Sequence, residues 1–181
     1  MPKDWVAMRW LQKLYWINFA QPVEDRELYR TLIQRPATSI LELGVGDGSR
    51  LRRMSQVQRV FGTTDSVRYI GTDEFESATD GRRHLTLKQA HQMASQLGFK
   101  KASLIPGDIQ SALPRVAHKF GASDLIIVGC GYQATTLADS FVGPWLNRIA
   151  HDRSIILACR NSGEKLELVR WDCSDAAARA A

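Results

Sequence analysis

The chain has 181 residues, carries 24 Lys and Arg against 19 Asp and Glu, and has a net charge of +5 with a pI near 9.3. That length suits a single domain, 1–181, with a sizeable core and no additional substrate-recognition domain. No apolar run approaches the length of a membrane span, and Met1-Pro2-Lys3-Asp4-Trp5 lacks the hydrophobic region of a signal peptide, so a cytoplasmic protein without a membrane partner is expected.

Cys130, Cys159 and Cys173 are odd in number and lack CxxC spacing. This argues against a disulfide framework or a zinc site, and we expect reduced thiols and no metal. Arg50/Arg52/Arg53/Arg59, Arg82/Arg83/His84 and Lys100/Lys101 form basic clusters that could meet phosphates. Solvated helix faces and loop ends are their commoner role, so a small-molecule partner is favoured over nucleic acid.

Residues 5–20 are aromatic-rich, and Trp10, Leu14 and Ile17 fall on one predicted helical face. Pro22 opens a second predicted helix, Val23 to Ile33, with Leu28, Tyr29 and Leu32 inward; Pro36 ends it. Together residues 1–36 form a helical N-terminal extension. Strands are predicted at 39–43, 68–72, 102–105, 124–128 and 154–159, with helices near 49–58, 87–97, 111–119 and 134–150. The alternation predicts an α/β domain with a mostly parallel sheet covered on both faces. Thr86 and Gln89 form a potential capping box for the 87–97 helix, with Leu87, Ala90, Ala94 and Leu97 as its buried stripe and Gly98 as its stop. Gly143-Pro144 is expected to interrupt the 134–150 stretch. Lys165–Trp171 alternates as a half-exposed strand, and the alanine-rich tail, 173–181, should fray.

The segment that carries chemistry is Ser39-Ile-Leu-Glu-Leu-Gly-Val-Gly-Asp-Gly-Ser49. An apolar strand runs into Gly44, Gly46 and Gly48, which tolerate positive φ and leave the backbone open to a ligand. A helix follows, whose N–H groups should face an anionic ligand group. The dinucleotide fingerprint needs G-x-G-x-x-G. The G-x-G-x-G here, two residues after Glu42, therefore disfavours a nicotinamide enzyme. Two acidic strand ends follow: Val67-Arg-Tyr-Ile-Gly-Thr-Asp73, backed by Glu74, and Ala102-Ser-Leu-Ile-Pro-Gly-Asp108-Ile-Gln-Ser-Ala-Leu-Pro114. Ser123-Asp-Leu-Ile-Ile-Val-Gly129 reads as the fourth strand.

In this order and spacing, the motifs resemble the class I S-adenosylmethionine-dependent methyltransferases, whose first motif is E/D-x-G-x-G-x-G. The resemblance spans about residues 37–172 and implies a doubly wound Rossmann-like sheet. It implies S-adenosylmethionine as cofactor, held around Glu42, Gly44, Val45, Gly46 and Gly48. Asp73 would accept the ribose hydroxyls with Glu74 beside it, Asp108 and the Ile109 N–H would meet the adenine, and Gly129 would border the sulfur. Helix capping or plain loop solvation is the alternative role of Asp73 and of Asp108; Glu42 is expected to organise the loop rather than to react.

The family usually ends with a fifth strand, a helix and an antiparallel strand pair. Only six residues separate Arg160 from Leu166 here. The C-terminal edge should therefore be trimmed, or the last strand should pair directly with the fifth.

Methyl transfer relies on holding the acceptor in line and sometimes on removing its proton, so no catalytic residue is assigned. The sequence Gly129-Cys-Gly-Tyr132 departs from the Asn/Asp-Pro-Pro-Tyr/Phe, Pro-Cys and metal-binding Asp signatures of particular subfamilies. Cys130, Tyr132, Asp139, His84 and His91 are candidates by position alone. A methyltransferase of a small-molecule acceptor is the leading expectation. A non-catalytic S-adenosylmethionine-binding protein and an RNA or protein methyltransferase are the alternatives.

Overall fold

Strands covered on both faces need apolar residues on both, and the chain supplies them in its central strands. The computed structural model describes residues 3–62, 64, 66–129, 132, 137, 139–162 and 165–171. In it β1 (Ser39–Leu43), β2 (Arg68–Asp73), β3 (Lys101–Pro106), β4 (Leu125–Val128) and β5 (Ile155–Ser162) lie parallel in the order β3-β2-β1-β4-β5. Ile40, Tyr69, Leu125, Ile127 and Leu157 point to one face; Leu41, Leu43, Ile70, Ile126 and Val128 point to the other. On the first face pack α2 (Arg26–Gln34), α3 (Ser49–Phe61) and α4 (Leu87–Gln96). On the second pack α5 (Ile109–Phe120) and α6 (Val142–Ile149). Each fully buried Leu or Ile contributes roughly 1.5–3 kcal/mol relative to exposure.

The chain winds from β1 outward to β3, then returns to the other side of β1 as β4. This reversal opens a crevice at the carboxyl ends of the strands. Parallel register places Leu43 beside Thr72 and Val128, so the loops leaving β1, β2 and β4 emerge together.

At the C-terminal edge, β6 (Lys165–Trp171) pairs directly and antiparallel with β5, from Ile156↔Trp171 to Ser162↔Lys165. Of the two arrangements expected, this is direct pairing. The N-terminal segment leans on that strand, and Arg170 Nε donates to Glu27 at 2.8 Å.

The capping box is present: Gln89 N–H donates to Thr86 Oγ1 at 3.2 Å, and Thr86 N–H to Gln89 Oε1 at 3.0 Å. Three expectations are corrected. In α1 (Lys3–Asn18) Trp10 is 59% exposed rather than inward. Trp16 instead meets the buried Tyr29 ring of α2 edge-on at 5.2 Å between centroids, which sets the rotation of the helix. The 134–150 stretch is broken as expected, but at 139–141 rather than at Gly143-Pro144, which lies in the first turn of α6, where a missing proline N–H costs no helical bond. Cys159 is buried and disulfide-bonded, so it is not a free thiol, and the argument from cysteine usage to a reducing compartment loses its support there. The expected fraying of 173–181 lies outside the described residues. No helix among the described residues is long and apolar enough to cross a membrane.

Candidate functional site

The glycine loop is built by the backbone rather than by side chains. Gly44, Gly46 and Gly48 have φ of +86°, +59° and +72°, a region costly for residues with a Cβ. The N–H groups of Gly44 and Val45 both donate to Thr72 O, at 2.8 and 3.2 Å, which ties the loop to the end of β2. Gly46 N–H donates to Asp73 Oδ2 at 2.7 Å, Gly48 N–H to Val45 O at 3.1 Å, and Ser49 N–H to Asp47 Oδ1 at 2.9 Å. At Gly44, Val45, Gly46, Gly48 and Ser49 the N–H groups hold the loop itself rather than facing a ligand. What the loop offers a ligand is bare surface, and no atom stands within 4 Å of where a Cβ on Gly46 would project.

That surface faces a cavity of about 320 Å³ lined by Gly44, Gly46, Asp73, Glu74, Thr79, Asp80, Arg82, His84 and Tyr132. The volume lies at the small end of the roughly 300–1,000 Å³ typical of small-molecule sites. Four residues named from the motifs, Gly44, Gly46, Asp73 and Glu74, thus meet in one place. Asp73 is 2% exposed. Its Oδ1 accepts from Phe75 N–H at 2.9 Å and faces His84 Nδ1 at 2.6 Å. The Phe75 backbone, at φ +51°, adopts a strained conformation that this bond helps to hold.

The other motif residues support the site from outside its lining. Glu42 is wholly buried beneath the loop, accepts from Tyr69 Oη at 2.6 Å and lies 3.8 Å from Arg50. Burial raises its carboxyl to about 7, against the opposing pull of Arg50. Val45 packs inward, and Gly48 is covered by Leu85 and Met93, whose atoms stand 2.7 and 2.6 Å from the place of a Cβ. Asp108 caps α5, accepting from Ser111 N–H at 2.8 Å; the Ser111 side chain and then this N–H lower its pKa, and Ile109 lies in the core. Gly129 N–H donates to Leu43 O at 2.7 Å. A Cβ on Gly129 would stand 2.7 Å from Gly44 O and 2.9 Å from Leu43 O, both backbone atoms. Gly129→Ala should therefore push β4 away from the glycine loop and destabilise the protein by about 1–3 kcal/mol, measurable by urea denaturation. An unchanged midpoint would show that the close approach has slack.

Of the positional candidates, Tyr132 and His84 line the cavity. The Tyr132 ring leans on the loop, with Cε2 3.2 Å from the place of a Gly44 Cβ. Burial, with Asp73, Glu74 and Asp108 nearby, raises its hydroxyl to about 12. Asp139 accepts from the Phe141 and Val142 N–H groups, and His91 is exposed on α4. Cys130 lies outside the described residues. No group of three potential metal ligands occurs among the described residues.

Two features were not assigned a place from sequence. Besides the candidate His84, the loop 78–85 carries Thr79, Asp80 and Arg82 into the cavity, and Leu85 N–H donates to Gly46 O at 2.9 Å. A cluster of charges one residue apart is a weak signal, because solvated loops have the same composition. The second is Asp25, which is wholly buried and receives Arg50 Nε at 3.1 Å and Arg53 Nε at 2.8 Å. Arg50 and Arg53 are therefore turned inward and do not form a phosphate patch.

No protein-family model matches the chain, and no curated protein matches it in sequence. Solved structures match in shape. The chain is similar to an O-methyltransferase from Bacillus cereus in complex with SAH, at 12% identity and TM-score 0.56 over 87% of this chain and 64% of that one. It is similar to the O-methyltransferase TomG from Streptomyces achromogenes, involved in tomaymycin synthesis and in complex with SAM, at 14% identity and TM-score 0.55 over 83% and 64%. A calicheamicin methyltransferase matches at 15% identity and TM-score 0.56, over 94% of both chains. The chain thus spans less than two thirds of the Bacillus and Streptomyces proteins and nearly all of the calicheamicin enzyme. At these identities the likeness establishes architecture, and this chain has the Rossmann-like fold of the S-adenosylmethionine-dependent methyltransferases.

Proposed function

We propose that this protein is an S-adenosylmethionine-dependent methyltransferase acting on a small molecule. The observation that carries the reading is the bond from Gly46 N–H to Asp73, which joins the bare glycine turn and the acidic strand end at the wall of one cavity. The residues fit the cofactor: open space before Gly46 admits its amino-acid half, and Asp73 with Glu74 supplies acceptors for the ribose. Asp108 and Ile109 at the start of α5 are assigned to the adenine, with Gly129 bordering the sulfur. Glu42, Val45 and Gly48 support the loop from below. The cofactor supplies an activated methyl group, and the protein's part is to hold the acceptor in line with it. Bound cofactor in solved structures of the same fold supports this assignment.

A second reading, binding without catalysis, draws support from the Tyr132 ring that leans on Gly44. Calorimetry with S-adenosylhomocysteine tests the cofactor site: we expect saturable binding, and none at millimolar ligand defeats the proposal. Transfer of labelled methyl groups to metabolites of a cell extract should separate the two readings, because a non-catalytic binder would leave every acceptor unlabelled.

A further inference from the structure

The carboxylate assigned to the ribose is already largely occupied. A carboxylate offers about four lone-pair positions. On Asp73 these receive Gly46 N–H, Phe75 N–H and the His84 ring at Nδ1, leaving a single position. A ribose diol brings two hydroxyl donors, and for Asp73 to accept both, one resident donor must leave. The two N–H groups are fixed by the fold. His84 is on the loop 78–85, where Thr79, Asp80, Gly81, Arg82 and Arg83 are all exposed.

His84 is also held from its other side, with Nε2 3.0 Å from Asp80 Oδ1. Only an imidazolium can donate from both nitrogens; a neutral ring keeps one donor and must give up one carboxylate. We infer that His84 is a positioning residue for the nucleoside, a proton-controlled latch: protonated, it is pinned between Asp73 and Asp80; neutral, it keeps one donor, which can turn to Asp80 when the ribose displaces it from Asp73. The inference rests on the proposed cofactor site and adds its regulation.

The groups facing the latch are Asp73 from β2 and Asp80 from its own loop, with Glu74, Arg82 and Tyr132 lining the same cavity. Burial, the largest single influence, lowers the His84 pKa, but the bonds to Asp73 and Asp80 and the charges of both carboxylates together outweigh it and raise the pKa. Binding that breaks the Asp73 bond then releases a proton, so affinity should rise with pH, by up to about tenfold per unit through the His84 titration. Glu42 titrates at about 7 beneath the loop, so the His84 variant is needed to assign the effect.

The experiment is calorimetric titration of S-adenosylhomocysteine into the wild type, His84→Ala and Asp80→Asn from about pH 5.5 to 9. In parallel, NMR should follow the His84 ring with and without ligand. We expect His84→Ala to bind more tightly than wild type at the acid end and to vary less with pH. Asp80→Asn should shift the dependence to lower pH, and ligand should lower the midpoint of the His84 ring. Identical pH profiles for wild type and His84→Ala, or a His84 midpoint indifferent to ligand, overturn the latch alone. Absence of binding by the wild type at every pH overturns the cofactor site and the latch together.

Discussion

Replacement of Asp25 by alanine should lower the stability of the protein by about 3–5 kcal/mol, because it removes a buried carboxylate that two inward-turned arginines share. Asp25 has no exposure, and it holds Arg50 and Arg53, whose side chains are 11% and 23% exposed. The Glu42 carboxylate lies 3.8 Å from Arg50, too far for a hydrogen bond. The same three residues join the N-terminal segment to α3, so the loss should loosen the extension and the support beneath the glycine loop together. For a chain of this size the melting temperature should fall by roughly 10 °C. Thermal denaturation near neutral pH measures it. A second variant, Asp25→Ala with Arg53→Met, should regain part of the loss, since it removes one stranded charge. A melting temperature within a degree or so of wild type for Asp25→Ala would mean that both arginines swing out to water.

Loss of Asp73 should affect folding and binding together. The carboxylate is buried and accepts from Gly46, Phe75 and His84. Each buried donor left without an acceptor costs about 1–3 kcal/mol, so we expect a loss of roughly 3 kcal/mol in Asp73→Ala. Asp73→Asn retains one acceptor oxygen and should lose less. Affinity for S-adenosylhomocysteine should fall at least tenfold in either variant, since bonds to a charged acceptor contribute about 1.5–3 kcal/mol. Urea denaturation and calorimetry on the same samples separate the two effects. Wild-type affinity in Asp73→Asn would remove this carboxylate from the nucleoside site.

Local pattern located the elements well because it depends on near neighbours. Thr86 and Gln89 are three residues apart, so their capping box could be read directly, as could the buried faces of α2 and α4. The rotation of α1 could not be read, because aromatic residues lie on several of its faces and the deciding contact comes from Tyr29, on another helix. The arginines of α3 were equally ambiguous. Their sequence is that of a solvated face until Asp25, 25 residues before Arg50, is brought beneath them.

Sequence alone determined the order of strands and helices, the bare turn after β1 and the acid at the end of β2, since these follow from periodicity and from the steric freedom of glycine. Tertiary structure decided which donors occupy that acid. Gly46, Phe75 and His84 reach Asp73 from 27, 2 and 11 residues away, and only the folded chain brings them to one carboxylate. Tertiary structure likewise showed Glu42 buried against Tyr69 and Asp108 capping α5. A side chain's hydrogen-bond partners are chosen by distance in space, and sequence spacing records that distance only within a single element.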